Sequence, residues 1–337
     1  MAGLCMQEVN GGLKMAEQKK SEVKIISMDT VQREEIKWLW YPYIPFGKLT
    51  IVQGDPGEGK TTFALKLAAE LSVGKCFGDN EKTEPREPIQ IIYQTAEDGL
   101  ADTIKPRLED AGADCSKILV IDESEKSLSM QDDRIERALE QTHAKLLILD
   151  PIQAFLGDRV DINRANETRE ITKKLGFLAE RTGCAVILIG HMNKGSGAKA
   201  AYRGVGSIDF FAIARSVLLV GRVPDNPNIR AIAQIKNNLG PEGDTVAFQL
   251  SEKGFEWIGS YDISVDELLS GISSGDKKSK AENLIKNLLE THKTYPATEI
   301  FIQGKQQGIS KRTLENAKQE LGIKSVRVGA AWHWSLK

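Results

Sequence analysis

Gly54-Asp55-Pro56-Gly57-Glu58-Gly59-Lys60-Thr61 gathers three glycines, a lysine and a threonine into the pattern GxxxxGK[ST]. Glycines let the backbone curl so that successive N–H groups point inward at phosphate oxygens. A helix that starts at the end of such a loop adds its positive N-terminal dipole. In that arrangement Lys60 meets the β- and γ-phosphates, and the Thr61 hydroxyl is a Mg²⁺ ligand. Thr62 is a candidate donor to the α-phosphate. Pro56 and Glu58 complete the loop. The chemistry implied is binding of ATP with Mg²⁺.

Hydrolysis asks for more: an acid for the Mg²⁺ shell and a group that orients the attacking water. Asp150 ends the apolar run Leu146-Leu147-Ile148-Leu149. A carboxylate at the C-terminal end of a buried parallel strand faces the ligand crevice, as a Walker B aspartate does. The plainer alternative is that Asp150 only opens the turn before Pro151. Glu97 and Asp98 follow the run Ile89 to Gln94 and emerge at the same edge, which makes Glu97 a candidate base for water. Helix capping by Asp98 is the alternative use of that pair. His191 follows Ala185 to Gly190 and is a candidate γ-phosphate sensor, although a lone histidine is more often structural.

These residues need a sheet to carry them. Lys48 to Gln53 reads as a strand, and Thr61 to Leu71 has helical apolar spacing at Phe63, Leu67 and Leu71. The alternation continues with strands at Ile89–Gln94, Ile118–Ile121, Leu146–Leu149 and Ala185–Ile189. Helices are predicted between them at Leu100–Ala111, Asp132–His143 and Ala165–Thr182. Strand–helix alternation predicts an α/β fold with a parallel sheet flanked by helices. Ser216–Val220, Arg230–Ile235 and Thr245–Leu250 follow without helices, so the sheet is expected to finish antiparallel.

The 337 residues are 41% hydrophobic and 27% charged, as in a soluble globular protein, and provide ample length for a core. No apolar run reaches the ~18 residues that cross a bilayer. The N-terminus has no apolar h-region, and Met15 offers an alternative start. Cys5, Cys76, Cys115 and Cys184 form no CxxC pair, which points to a reducing cytoplasm. Residues 1–35 read as a polar, flexible arm, 36–262 as the nucleotide-binding domain, 263–280 as a Ser/Gly/Lys-rich linker, and 281–337 as a small second domain.

The segments GDPGEGKT (54–61), YQTAED (93–98), LLILDPIQ (146–153), ILIGHMNKG (187–195) and RGVGSIDFFAIAR (203–215) together resemble the RecA/DnaB-type ATPases. Among these, the chain is most similar to the RepA-type hexameric replicative helicases of plasmids and phages, from about Trp38 to Ile258. The resemblance implies a RecA-like P-loop NTPase core. It implies Glu97 as the catalytic carboxylate, Asp150 as the Walker B acid and His191 as the γ-phosphate sensor. Arg215 matches the arginine finger that reaches a neighbour's ATP; a salt bridge with Asp209 or a snorkelling surface position is its alternative. Lys236 falls in the stretch where relatives carry Lys and Arg fingers, with Asn238 where many have Arg. Arg107 lies one residue from the position that packs on adenine. Fingers in trans imply a homo-oligomer, by family habit a hexamer, with single-stranded DNA through the ring. Its pore loops would be Gly157–Arg169 and Lys194–Gly206, the second carrying Lys194, Lys199 and Arg203. An ordinary surface loop is the alternative. A DNA-binding regulator or loader switched by ATP, and a RecA/RadA-like recombination mediator, remain as other readings.

From Asp276 to Lys337 there are 12 Lys/Arg against 6 Asp/Glu, a net of +6; with −2 overall, the rest of the chain carries −8. A basic region on an acidic body suits a polyanionic partner. Helical patterns at Lys280–Thr291, Pro296–Gln307 and Lys311–Leu321, then Val326–Val328 and Trp332–Trp334 around Gly329, resemble a winged helix-turn-helix. Its third helix carries Lys311, Arg312 and Lys318 for contacts to DNA. A protein-docking winged helix is the alternative.

Overall fold

The computed structural model describes residues 25–75, 87–157, 165–192, 208–224, 226–252, 254–271, 274–307, 309, 311–329 and 331–335. The chain divides into two units, Met1–Glu35 and Ile36–Lys337. The described part of the first holds one short turn, Met28–Thr30.

The second unit begins with a hairpin, β1 (Trp38–Trp40) and β2 (Ile44–Pro45). Strand β3 (Leu49–Gly54) then runs into the loop and α1 (Lys60–Ser72). There follow β4 (Ile91–Thr95), α2 (Lys105–Asp110), β5 (Ile118–Leu119), α3 (Asp133–Thr142), β6 (Leu146–Asp150), α4 (Ala165–Thr182), β7 (Ala185–His191) and α5 (Ile208–Ile213). The run closes with β8 (Ser216–Val223), β9 (Asn226–Asn237), β10 (Val246–Ser251), β11 (Gly254–Ser260) and α6 (Val265–Ser270).

The described strands from β3 to β11 form one nine-stranded sheet in the order β11-β10-β9-β8-β3-β7-β6-β4-β5. Pairings from β8 through β3, β7, β6 and β4 to β5 are parallel, and those of β8–β9, β9–β10 and β10–β11 are antiparallel. This is the expected α/β core, a mostly parallel sheet that finishes antiparallel. The reason is visible in the strands, which are apolar on both faces, as parallel strands covered by helices must be. Leu146, Ile148, Ala185, Ile187 and Ile189 face one layer with Phe63, Leu67 and Leu71 of α1. Leu147, Leu149, Val186 and Leu188 face the other, with Ile135 of α3 and Leu175 and Ala179 of α4. Strand β11 and the β1–β2 hairpin were not foreseen. Trp40 and Trp257 from these pieces join Phe63 and Phe248 in one aromatic group at the α1 side.

The expected linker departs from its reading. Gly271 ends α6 in a left-handed conformation, and α7 (Ser274–Thr291) is already helical where a loose Ser/Gly/Lys stretch was expected. Ala281, Leu284, Ile285 and Leu289 of α7 are buried in the C-terminal core, so tertiary packing overrides the weak local preference. After α7 come β12 (Thr294–Pro296), α8 (Ala297–Gln306), α9 (Lys311–Glu320), β13 (Lys324–Val328) and β14 (Ala331–Ser335). The three strands form an antiparallel sheet in the order β12-β14-β13. This C-terminal part has its own core of Ile285, Leu289, Ile300, Leu314, Ala317 and Trp334. Among the described residues, no helix is long and apolar enough to cross a membrane.

Phe63 is fully buried between α1 and the sheet. Phe63→Ala is expected to cost about 3–5 kcal/mol by leaving a cavity. Urea unfolding followed by tryptophan fluorescence checks this through a lowered midpoint.

Candidate nucleotide site

All parallel strands end at one edge, and there the sequence delivers its candidate residues. Gly54 closes β3 against β8. A Cβ at this position would stand 2.2 Å from the Val220 carbonyl oxygen, so no side chain fits. The loop then turns through Gly57 (φ 78°) and Gly59 (φ 89°), left-handed conformations that suit glycine. Asp55, Pro56 and Gly57 are exposed at its tip. Phe63 N–H donates to Gly59 O at 2.9 Å and begins the α1 hydrogen bonds. The N–H groups of Lys60, Thr61 and Thr62 lie in the first turn, where no helical acceptor exists for them.

Lys60 is 4% exposed. Its ammonium donates to the carbonyls of Gly54 (3.0 Å) and Asp55 (2.9 Å), within its own loop. Burial lowers its pKa, opposed by the nearby carboxylates of Asp150, Asp55, Glu58 and Glu97. The two backbone carbonyls stand where phosphate oxygens would accept from the ammonium.

Asp150, 5% exposed, ends β6. Its Oδ2 accepts from Thr61 Oγ1 at 2.7 Å and from the Tyr93 hydroxyl at 2.9 Å. Burial raises the Asp150 pKa, and these two hydrogen bonds oppose the rise. In the β4–β6 register Thr95 stands opposite Asp150, and Ala96 N–H donates to Asp150 O at 3.2 Å. That register carries Glu97 past the same edge. His191 ends β7 opposite Gly54. Its Nε2 is 3.7 Å from Glu97 Oε1, and its Nδ1 is buried with no hydrogen-bond partner among the described residues.

Lys60, Thr61, Glu97, Asp150 and His191 thus meet around one loop. Their chemistry fits an ATP–Mg²⁺ complex. A threonine hydroxyl and a carboxylate are hard oxygen donors of the kind Mg²⁺ takes, a lysine and free helical N–H groups suit phosphate, and the orphaned His191 Nδ1 is left for a ligand. Arg107 pairs with Asp98 at 3.2 Å, half exposed on α2. Glu58 lies 3.8 Å from Arg222 of β8.

Arg215 and Lys236 do not join this group. Arg215 N–H donates to Leu49 O, at the start of β3, and its side chain is exposed, with no ion pair to any described residue. It lies five residues of strand from Gly54, about 17 Å at ~3.3 Å per residue. Lys236 sits opposite Val217 at the same far end. Its ammonium donates to the carbonyls of Phe211 (2.6 Å) and Ala212 (3.1 Å) and lies over the Phe211 ring. Burial lowers its pKa, with Arg215 adding to the effect.

Lys311 and Lys318 are on α9, over the rings of Phe301 and Trp334 respectively. Arg312 is on the same helix. Lys194, Lys199 and Arg203, like most of the two expected pore loops, lie outside the described residues. Sequence reasoning passed over Tyr93: an aromatic in an apolar strand reads as core, and only the strand register reveals that its hydroxyl meets Asp150.

Parts of the chain are similar to known proteins. The chain is 25% identical over 252 residues to the "DNA repair protein RadA" of Halalkalibacterium halodurans, covering 73% of this chain and 48% of that protein. It is 25% identical over 232 residues to the protein of the same name from Streptococcus pneumoniae, covering 67% of this chain and 48% of that one. The chain therefore spans about half the length of these relatives. A solved DnaB-like replicative helicase overlays 64% of this chain and 58% of its own at 18% identity, with a TM-score of 0.48. The RadB recombinase overlays 64% and 92% at 20% identity, with a TM-score of 0.44. The family described as "AAA domain" matches residues 16–197, more than half of the sequence, and the chain belongs to that family of P-loop proteins.

Proposed function

We propose that this protein hydrolyses ATP with Mg²⁺ and couples the cycle to binding or movement along DNA, as a RepA-like ring helicase of about six copies in plasmid or phage replication. The observation that carries the reading is the gathering of Lys60, Thr61, Glu97, Asp150 and His191 at one sheet edge while Arg215 stands at the opposite end.

Lys60 exchanges its two loop carbonyls for β- and γ-phosphate oxygens. Gly54, Gly57 and Gly59 shape the loop, with Pro56 and Glu58 at its rim, and Thr62 donates to the α-phosphate. Thr61 and Asp150 hold Mg²⁺, which when bound neutralises charge on the phosphate oxygens. Glu97 orients the attacking water and accepts its proton on a carboxylate oxygen. His191, 3.7 Å from Glu97, reports the state of the γ-phosphate to that base. Arg107 is the candidate contact for adenine.

Arg215 and Lys236 are too far from their own loop to act there, so they serve a neighbouring copy. An exposed arginine is ready for that task, whereas Lys236 must first leave the carbonyls that end α5. The C-terminal helices and small sheet act as a winged helix-turn-helix, presenting Lys311, Arg312 and Lys318 to DNA phosphates. Lys194, Lys199 and Arg203 track the single strand inside the ring. The setting is the cytoplasm.

A second reading, a RadA-like recombination or repair ATPase, is favoured by the named DNA repair relatives that match 73% and 67% of the chain. Electron microscopy on single-stranded DNA separates the two, by closed rings or helical filaments.

Two outcomes are expected. Single-stranded DNA raises the ATPase rate about tenfold at 50 mM salt, and the effect collapses by 200 mM as counterion release weakens binding; an unstimulated rate favours an ATP-switched regulator or loader. Arg215→Ala acts in trans: adding it to wild-type protein depresses the ATPase rate more steeply than dilution, and a linear mixing curve removes the finger.

A further inference from the structure

We propose that Tyr93 is a positioning residue of the ATPase reaction, a fixed hydrogen-bond donor on β4 that sets the rotation of the Asp150 carboxylate for the Mg²⁺ site. The proposal rests on the reading of Thr61 and Asp150 as the Mg²⁺-binding pair.

Tyr93 is fully buried in the layer shared with Ile91, Ile148 and Ile187. A phenylalanine would fill that volume equally well. Burying the extra hydroxyl is unfavourable unless it is paired, and its partner is Asp150 Oδ2 at 2.9 Å. The hydroxyl therefore has no role in the core apart from Asp150.

The terminal torsion of an aspartate is broad, so one donor leaves its carboxylate free to swing. Oδ2 has two donors, from different elements. Thr61 approaches from the first turn of α1, beside the loop that must rearrange around a nucleotide. Tyr93 approaches from mid-strand β4, where it pairs with Ile148 of β6 one residue beyond the two that also pair with β5. The Thr61 donor can shift with the loop, whereas the Tyr93 donor cannot. With Oδ2 held at that junction, Oδ1 receives no hydrogen bond from any described residue and is the oxygen left for the crevice.

A further consequence concerns Thr61. While its proton points at Asp150, its oxygen lone pairs remain available to a cation. Tyr93, by keeping Oδ2 in place as the acceptor, fixes where those lone pairs aim. Loss of the phenol should thus weaken the metal site without touching the phosphate cradle, which is built from backbone N–H groups and Lys60.

The test is Tyr93→Phe in the full chain, read by Mn²⁺ titration with electron paramagnetic resonance in the presence of a non-hydrolysable ATP analogue. Mn²⁺ affinity should fall about ten- to a hundredfold, as expected for losing a hydrogen bond to a charged group. Binding of a fluorescent ATP analogue in EDTA should stay within about twofold, and kcat should fall with little change in KM at saturating Mg²⁺. Ile91→Val, a trimmed core neighbour on the same strand, controls for lost stability and should leave Mn²⁺ affinity unchanged. If Tyr93→Phe keeps wild-type Mn²⁺ affinity while Asp150→Asn loses it, the positioning role is wrong and the metal pair stands. If Asp150→Asn also keeps it, the reading of the pair itself fails. If Ile91→Val weakens Mn²⁺ as much as Tyr93→Phe, general loosening of β4 replaces the specific hydrogen bond.

Discussion

One carboxylate oxygen, Asp150 Oδ2, ties the sheet to the phosphate loop. It is reached by the first turn of α1 through Thr61 and by the strand layer through Tyr93. Asp150 is nearly buried, and burial disfavours its charged form, so its ionisation depends on these donors and on Lys60 nearby. Lys60 in turn is stripped of water and held by carbonyls of its own loop. Lys60, Thr61 and Asp150 thus satisfy one another or their own loop, while His191 Nδ1 stays without a partner among the described residues. Binding as proposed exchanges these partners rather than creating new charge.

The same topology sorts the candidate residues to two ends of the sheet. Parallel strands send every C-terminal end to one edge, and that edge collects Gly54, Glu97, Asp150 and His191. Arg215 and Lys236 belong to the other end because β8 begins where β3 begins. In the proposed ring, the charge that Arg215 lends to a transferring phosphoryl group therefore crosses between copies. The family match stops at residue 197, before both of these residues.

Much of the core was legible in the sequence because local and global signals agree there. The glycine pattern, the apolar run before Asp150 and the strand–helix alternation each carry a physical cause that needs no tertiary context. Other features depend on contacts far along the chain. Strand β11 alternates exposed and half-buried residues and has no helix to announce it, so its pairing with β10 was invisible. Helix α7 starts inside a Ser/Gly/Lys stretch because its later turns bury Ala281, Ile285 and Leu289 in the C-terminal core. Tyr93 reads as packing until the β4–β6 register sets it beside Asp150. Lys236 was a candidate finger, yet its partners, the carbonyls that end α5, come from 24 and 25 residues earlier.

The account stands or falls on Lys60 exchanging loop carbonyls for phosphate. Isothermal titration of ATP with Mg²⁺ into the full chain and into Lys60→Ala measures this directly. One nucleotide per chain, with affinity weakened at least about a hundredfold in the variant, is the predicted result, since a desolvated charge pair with phosphate is among the stronger polar contacts. Equal binding by both proteins would contradict it, because the buried ammonium would then have no part in holding the nucleotide.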